Sequence, residues 1–134
     1  FNFKYFKNYI KKKNKIIKDL LMDQKFVSGL GNIYVNEILF FSKINPIRRT
    51  TSLKDIEIKK ILKNTKKILK KAISFGGSSI KNFSSSRGKT GSFQQYFNVY
   101  GKKGSSCSNT DCNGNIKKIF LSNRSSFFCS KCQK

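Results

Sequence analysis

Cys107, Cys112, Cys129 and Cys132 are the residues whose type and spacing most clearly imply chemistry, and they are the only four cysteines in the chain. They read C-x4-C, sixteen residues, then C-x2-C. Two short cysteine pairs on facing turns offer the tetrahedron of thiolates that Zn²⁺ prefers. Four thiolates leave no open position for water or substrate, so this spacing predicts one structural zinc ion. Two disulfides are the competing arrangement, disfavoured in a lysine-rich chain without a signal peptide. The first pair is two residues longer than the usual C-x2-C, so residues 108–111 must loop out, with Asp111 an alternative oxygen ligand. The sequence has no His, and no carboxylate pair or activated Ser or Cys constellation is visible.

The elements that must hold these cysteines read as short strands at residues 97–100, 116–121 and 125–128, the last two joined by a Ser122-Asn123 turn. A unit of this size has little core of its own, so the metal would stabilise it. Residues 1–77 read as helices. Phe3, Phe6 and Ile10 mark a first apolar stripe, and Ile16, Ile17, Leu20 and Leu21 a short second one. Gly29 and Gly31 predict a tight turn, with Asn32 as N-cap of a third helix running to about Lys43 and closed by Pro46. Ser52 and Asp55 predict a capping box before a long helix. Its apolar positions Ile58, Ile61, Leu62, Thr65, Ile68, Leu69, Ala72 and Ile73 keep 3.6-residue spacing, and Gly76-Gly77 stops it. Residues 78–96 are rich in Ser and Gly and read as a flexible loop. The fold class expected is mainly α with a small β hairpin at a metal site, in three segments: 1–77, 78–96 and 97–134.

Charge points to the partner. Twenty-nine Lys and Arg against six acids give +23 at pH 7, and a chain so charged favours a polyanion, above all nucleic acid. A genome rich in A and T also inflates Lys, Asn, Ile and Phe, and only four of the basic residues are Arg. Thirteen Phe supply enough apolar material for a core, so wholesale disorder is not expected. The longest apolar runs are too short to span a bilayer, and no signal peptide is visible. The expectation is a soluble, intracellular monomer with no membrane partner.

Several strings, in order and spacing, resemble the formamidopyrimidine-DNA glycosylases. They are Leu21-Met22-Asp23-Gln24, Val27-Ser28-Gly29-Leu30-Gly31-Asn32-Ile33-Tyr34-Val35-Asn36-Glu37, Ile44-Asn45-Pro46, Gly76-Gly77, Val99-Tyr100-Gly101 and Phe128-Cys129-Ser130-Lys131-Cys132-Gln133-Lys134. Endonuclease VIII, a sister family, shares the architecture. The resemblance implies a helix–two-turn–helix bundle followed by a four-cysteine zinc finger that binds damaged double-stranded DNA. It implies that Gly31 and Asn32 meet the DNA backbone and that Lys18 lies beside the same surface. Where relatives carry a further basic contact this chain has Asn14, so that role falls to Lys13 or Lys15. Arg124, in the hairpin turn, would reach into the duplex, hold phosphate and assist the second elimination step. Arg87 and Lys89 would sit on the loop that closes over a flipped base.

Relatives of this kind excise oxidised purines such as 8-oxoguanine and formamidopyrimidines with an N-terminal proline amine, then cut the strand by β- and δ-elimination. The only proline here is Pro46, whose nitrogen is an amide. The resemblance therefore implies the C-terminal half of a glycosylase/AP lyase, its N-terminal catalytic domain missing and the chain alone inactive or very weak. Two alternatives compete: a catalytically dead DNA-binding remnant, and a basic zinc-ribbon protein of the ribosome or the transcription machinery.

Overall fold

The computed structural model describes residues 1–74, 97–109 and 111–134. Four α-helices come first: α1 (Phe3–Lys12), α2 (Ile17–Met22), α3 (Asn32–Phe41) and α4 (Asp55–Ser74), with a single 3₁₀ turn at Thr50–Ser52 between the last two. An antiparallel pair, β1 (Ile116–Leu121) and β2 (Arg124–Cys129), follows. The fold is thus mostly helical with one two-stranded hairpin. Among the described residues no helix is long and apolar enough to cross a membrane.

Local chemistry sets each boundary. Asn2 caps α1, its Oδ1 accepting from the Tyr5 amide at 2.9 Å, and Lys11 and Lys12 lie in the last turn, where the helix dipole favours cations. After α2 the chain turns on Asp23, whose carboxylate accepts from the Lys25 amide at 2.9 Å, and on Gly29, whose φ of +92° suits glycine. α3 ends in a Schellman motif: Ile44 N–H donates to Leu39 C=O and Lys43 N–H to Phe40 C=O. Lys43 occupies the left-handed position at φ +59°.

α3 is the hub. Residues 34–40 are all buried, and α4, α2 and β2 each pack against it. Phe6, Ile10, Leu20, Leu21, Val35, Ile38, Ile58 and Ile61 belong to one core. Each such side chain, fully withdrawn from water, contributes about 1.5–3 kcal/mol as an upper estimate. A second, smaller core gathers Phe40, Val99, Cys107, Ile116, Phe127 and Cys129 around the hairpin.

Three expectations are corrected. Asn32 is the first residue of α3, not its cap; Gly31 is the N-cap and offers no side-chain oxygen. Ser52 does not cap α4, because its hydroxyl donates to Arg49 C=O at 2.7 Å. Glu57 reaches back instead, its Oε1 accepting from the Lys54 amide at 2.8 Å. Residues 97–100 form no strand but a turn against α3. The Gly76-Gly77 stop and the 78–96 loop, with Arg87 and Lys89, lie outside the described residues.

Candidate DNA interface and metal centre

α2 and the first turn of α3 meet the hairpin at the Ser125 carbonyl. Ser125 C=O accepts from Lys18 Nζ at 3.0 Å and from Asn32 Nδ2 at 3.0 Å. Lys18 Nζ also donates to Ser126 Oγ. One residue further on, Asn36 Oδ1 accepts from the Phe127 amide at 2.7 Å. At the tip, Ser122 Oγ donates to Asp19 at 2.8 Å. Ser122 and Asn123 both take positive φ, 51° and 64°, the geometry of the two-residue hairpin turn that matches strand twist. The hairpin is thereby fixed to α2 and α3 at Ser122, Ser125, Ser126 and Phe127, and exposed Arg124 is carried at the start of β2.

The charge balance at this junction is uneven. Lys18 is 1 % exposed. Burial first, then the nearby Arg124 charge, pushes its ammonium down to about 8, with Asp19 opposing. Lys18 therefore stays charged at neutral pH beside a second cation. Lys18 lies beside Asn32, as the family resemblance implies, but its side chain runs under the hairpin and braces it. The N-terminus of α3 adds backbone N–H groups without a side-chain cap. A Cβ on Gly31 would meet nothing within 4 Å, and its φ of −93° is open to any residue.

Other expected contacts separate from this cluster. Lys15 Nζ pairs with Asp23 at 2.9 Å, and that hydrogen bond raises its pKa. Lys13 is exposed, with its Nζ 6.0 Å from the Tyr9 ring centroid. The structure brings Lys18, Asn32 and Arg124 together, and it engages Lys15 elsewhere.

The four cysteines form the second feature. Their sulfurs all lie within 4.8 Å of one another, with Cys107–Cys132 at 3.6 Å and Cys112–Cys129 at 3.7 Å. A disulfide needs about 2.05 Å, whereas metal–sulfur bonds of about 2.3 Å give tetrahedral edges near 3.8 Å. The donor set fits a tetrahedral metal ion. Asp111, at φ +64°, is not part of the cluster. The longer first loop has a use of its own: Asn109 Nδ2 donates to Cys132 Sγ at 3.1 Å. Burial opposes ionisation of Cys129, but the Cys132 and Lys131 amides outweigh it and hold the thiol down to about 7.

Sequence reasoning missed Gly114. A Cβ there would sit 2.7 Å from Cys129 Sγ and 3.1 Å from Lys131 Cβ, and Gly114 C=O accepts from the Cys107 amide at 2.9 Å. Gly114→Ala is expected to weaken metal affinity by about tenfold or more, read by competition with a chromophoric chelator. Affinity equal to that of the unaltered chain would mean that the close approach is dispensable.

With the geometry in place, comparison with known proteins decides the family. Residues 1–84 match the Formamidopyrimidine-DNA glycosylase H2TH domain. The chain belongs to that family. Formamidopyrimidine-DNA glycosylase of Roseobacter denitrificans is 44% identical over 124 residues, covering 92% of this chain and 44% of that protein. The Lactococcus lactis enzyme, bound non-covalently to DNA containing an AP site, superimposes with a TM-score of 0.85 at 40% identity, covering 99% of this chain and 47% of the other. The same enzyme bound to DNA containing FAPY-dG gives 0.86 at 41% identity, covering 100% and 48%. The chain spans about half the length of the curated relatives it matches.

Within this family Asn36 and Glu37 were visible only as part of a matching string. The Glu37 carboxylate accepts from the amides of Asn98, Val99 and Tyr100 at 2.8, 2.9 and 2.9 Å. An acid followed directly by the apolar run Ile38–Phe41 was the available signal.

Proposed function

We propose that this chain serves base-excision repair as the DNA-binding part of a glycosylase/AP lyase acting on oxidised purines in duplex DNA. The observation that carries this reading is the junction at Ser125. Two cations, Lys18 and Arg124, and the open N-terminus of α3 converge there with only Asp19 opposing. Fold-enforced positive charge next to a helix N-terminus that no side chain caps is an anion site, and DNA containing an AP site or FAPY-dG is the anion in the relatives' complexes. Gly31, with free space around its Cα, lets that backbone approach. Arg124, planar and always charged, grips phosphate in two places at once from a rigid turn. Asn32 and Lys18 hold the turn under it, with Lys13 a further phosphate contact from the exposed surface. Lys15 serves less directly, by ordering the Asp23 turn.

The four cysteines hold Zn²⁺ in this reading, and the ion contributes rigidity, not chemistry. The base-removal and elimination steps belong to a proline amine for which these 134 residues have no counterpart. We place the protein in the bacterial cytoplasm as a monomer on DNA, with residues 1–77 and 97–134 forming the two halves of the grip; Arg87 and Lys89 are further DNA contacts by family resemblance alone.

Electrophoretic titration of the zinc-loaded chain against matched duplexes tests this, one carrying an abasic-site analogue. About tenfold tighter binding to the lesion, or about 1.4 kcal/mol, is expected, with no borohydride-trapped adduct on a natural abasic site. Arg124→Ala is expected to weaken lesion binding by about 1–3 kcal/mol. A loss below about 0.3 kcal/mol would remove Arg124 from the interface, and equal affinity for both duplexes would reduce the protein to a general DNA binder.

A further inference from the structure

Outside the junction, the strongest charged feature is the solvent face of α4. Seven lysines follow Glu57 in this helix, Lys59, Lys60, Lys63, Lys66, Lys67, Lys70 and Lys71, and no acid does. All seven are exposed. The helix's two acids are already engaged: Asp55 pairs with Lys7 at 2.8 Å and Glu57 with Arg48 at 2.9 Å. Ile58, Ile61, Leu62, Thr65 and Ile68 are buried on the opposite side. At 3.6 residues per turn, Lys60, Lys63, Lys66, Lys67 and Lys70 fall within an arc of about 120° and along about 15 Å of axis.

A merely solvated helix face normally intersperses Glu with Lys, because like charges three and four residues apart repel. Here that repulsion is uncompensated within α4. Duplex DNA offers the complementary array, one phosphate charge per about 1.7 Å of its axis. The face is also separate from the junction. α4 packs on α3 and α1, whereas α2, the first turn of α3 and β2 make the Ser125 contacts.

We propose that the lysine face of α4 is a second DNA-binding surface, which takes the phosphate backbone of another duplex segment while the junction holds the first. Each lysine acts as a point charge, so the surface is indifferent to sequence and to damage. It keeps the chain on DNA and lets it pass between neighbouring segments.

The test uses the full zinc-loaded chain and two sets of short undamaged duplexes, one labelled with a donor dye and the other with an acceptor. Lys60, Lys63, Lys67 and Lys70 are replaced together by Gln, a good helix former that leaves the fold intact. A control of equal net charge replaces Lys4, Lys11, Lys12 and Lys103 by Gln. Energy transfer between duplexes is expected with the unaltered chain and the control, and to fall at least about fivefold with the α4 variant. The log–log salt slope for undamaged duplex should become shallower by about 2–3 in that variant. Its preference for abasic over intact duplex should stay within about twofold of the original, a readout that separates this surface from the lesion reading. No transfer with the unaltered chain, identical losses in both variants, or loss of the abasic preference in the α4 variant would each overturn the proposal.

Discussion

Cys129→Ser is expected to leave less than about 0.2 metal ions per chain, measured by atomic absorption, and to unfold residues 97–134 while the four helices persist. The reason lies in what the hairpin has for a core. Of the six buried residues around it, Cys107 and Cys129 are themselves proposed ligands. The remaining apolar side chains are too few to hold two strands and two loops against chain entropy. Structural zinc contributes an apparent 10–16 kcal/mol in isolated zinc-finger peptides, roughly, at neutral pH, and losing one thiolate removes a large share of it. The helices keep a separate core built on Phe6, Leu20, Leu21, Val35, Ile38 and Ile61, so their circular dichroism should change little. Amide exchange should quicken at Phe127, whose N–H donates to Asn36, and abasic-site binding should fall to the level of Arg124→Ala or below, because the turn loses its aim. A chelator applied to the unaltered chain should reproduce both effects. A full equivalent of metal retained by the serine variant would refute the four-cysteine site.

Much of this was legible in the sequence, for definite physical reasons. Metal-ligand spacing is local chemistry, and the four cysteines meet as their pattern requires. The apolar stripes of α1 and α4 are local too, and Phe6, Ile10, Ile58, Ile61 and Ile68 are all buried. Failures began where a polar side chain had a choice of partners. Asn32 has the right chemistry to cap a helix, yet a backbone carbonyl 93 residues later in the chain claims its amide. Ser52 turns to Arg48 and Arg49, and Glu57 caps α4 while it pairs with Arg48. The end of α3 carried no glycine signal because Lys43 bears the positive φ. The apolar run at residues 97–100 reads as a strand until the acid that folds it is known. Tertiary contacts of long sequence separation decided each case, and neither propensity nor periodicity encodes them.

The acid that folds residues 97–100 yields the second large expected effect. Glu37 is 4 % exposed, in a chain with twenty-nine cations available, yet its carboxylate is met by three consecutive backbone amides. Such a nest satisfies a buried carboxylate, and among the described residues no ion pair is made to it. It also fixes the turn that delivers Val99 to the second core, fully buried, and sets Tyr100 edge-on to Phe127 with ring centroids 5.1 Å apart. Glu37→Ala would leave three amide donors without their acceptor, each costing about 1–3 kcal/mol if it stays dry. Partial entry of water lowers the total, so a loss of roughly 3–5 kcal/mol is expected, and a fall in Tm of about 10–20 °C. Glu37→Gln keeps one carbonyl oxygen but turns an NH₂ group toward amide donors, so it should recover less than half of that loss. Asn36 and Asn32 bind the hairpin independently of Glu37, so lesion preference should survive in both variants below their melting temperatures. A Tm within about 2 °C of the original in Glu37→Ala would show that the turn holds without its carboxylate, through the packing of Val99 and Tyr100.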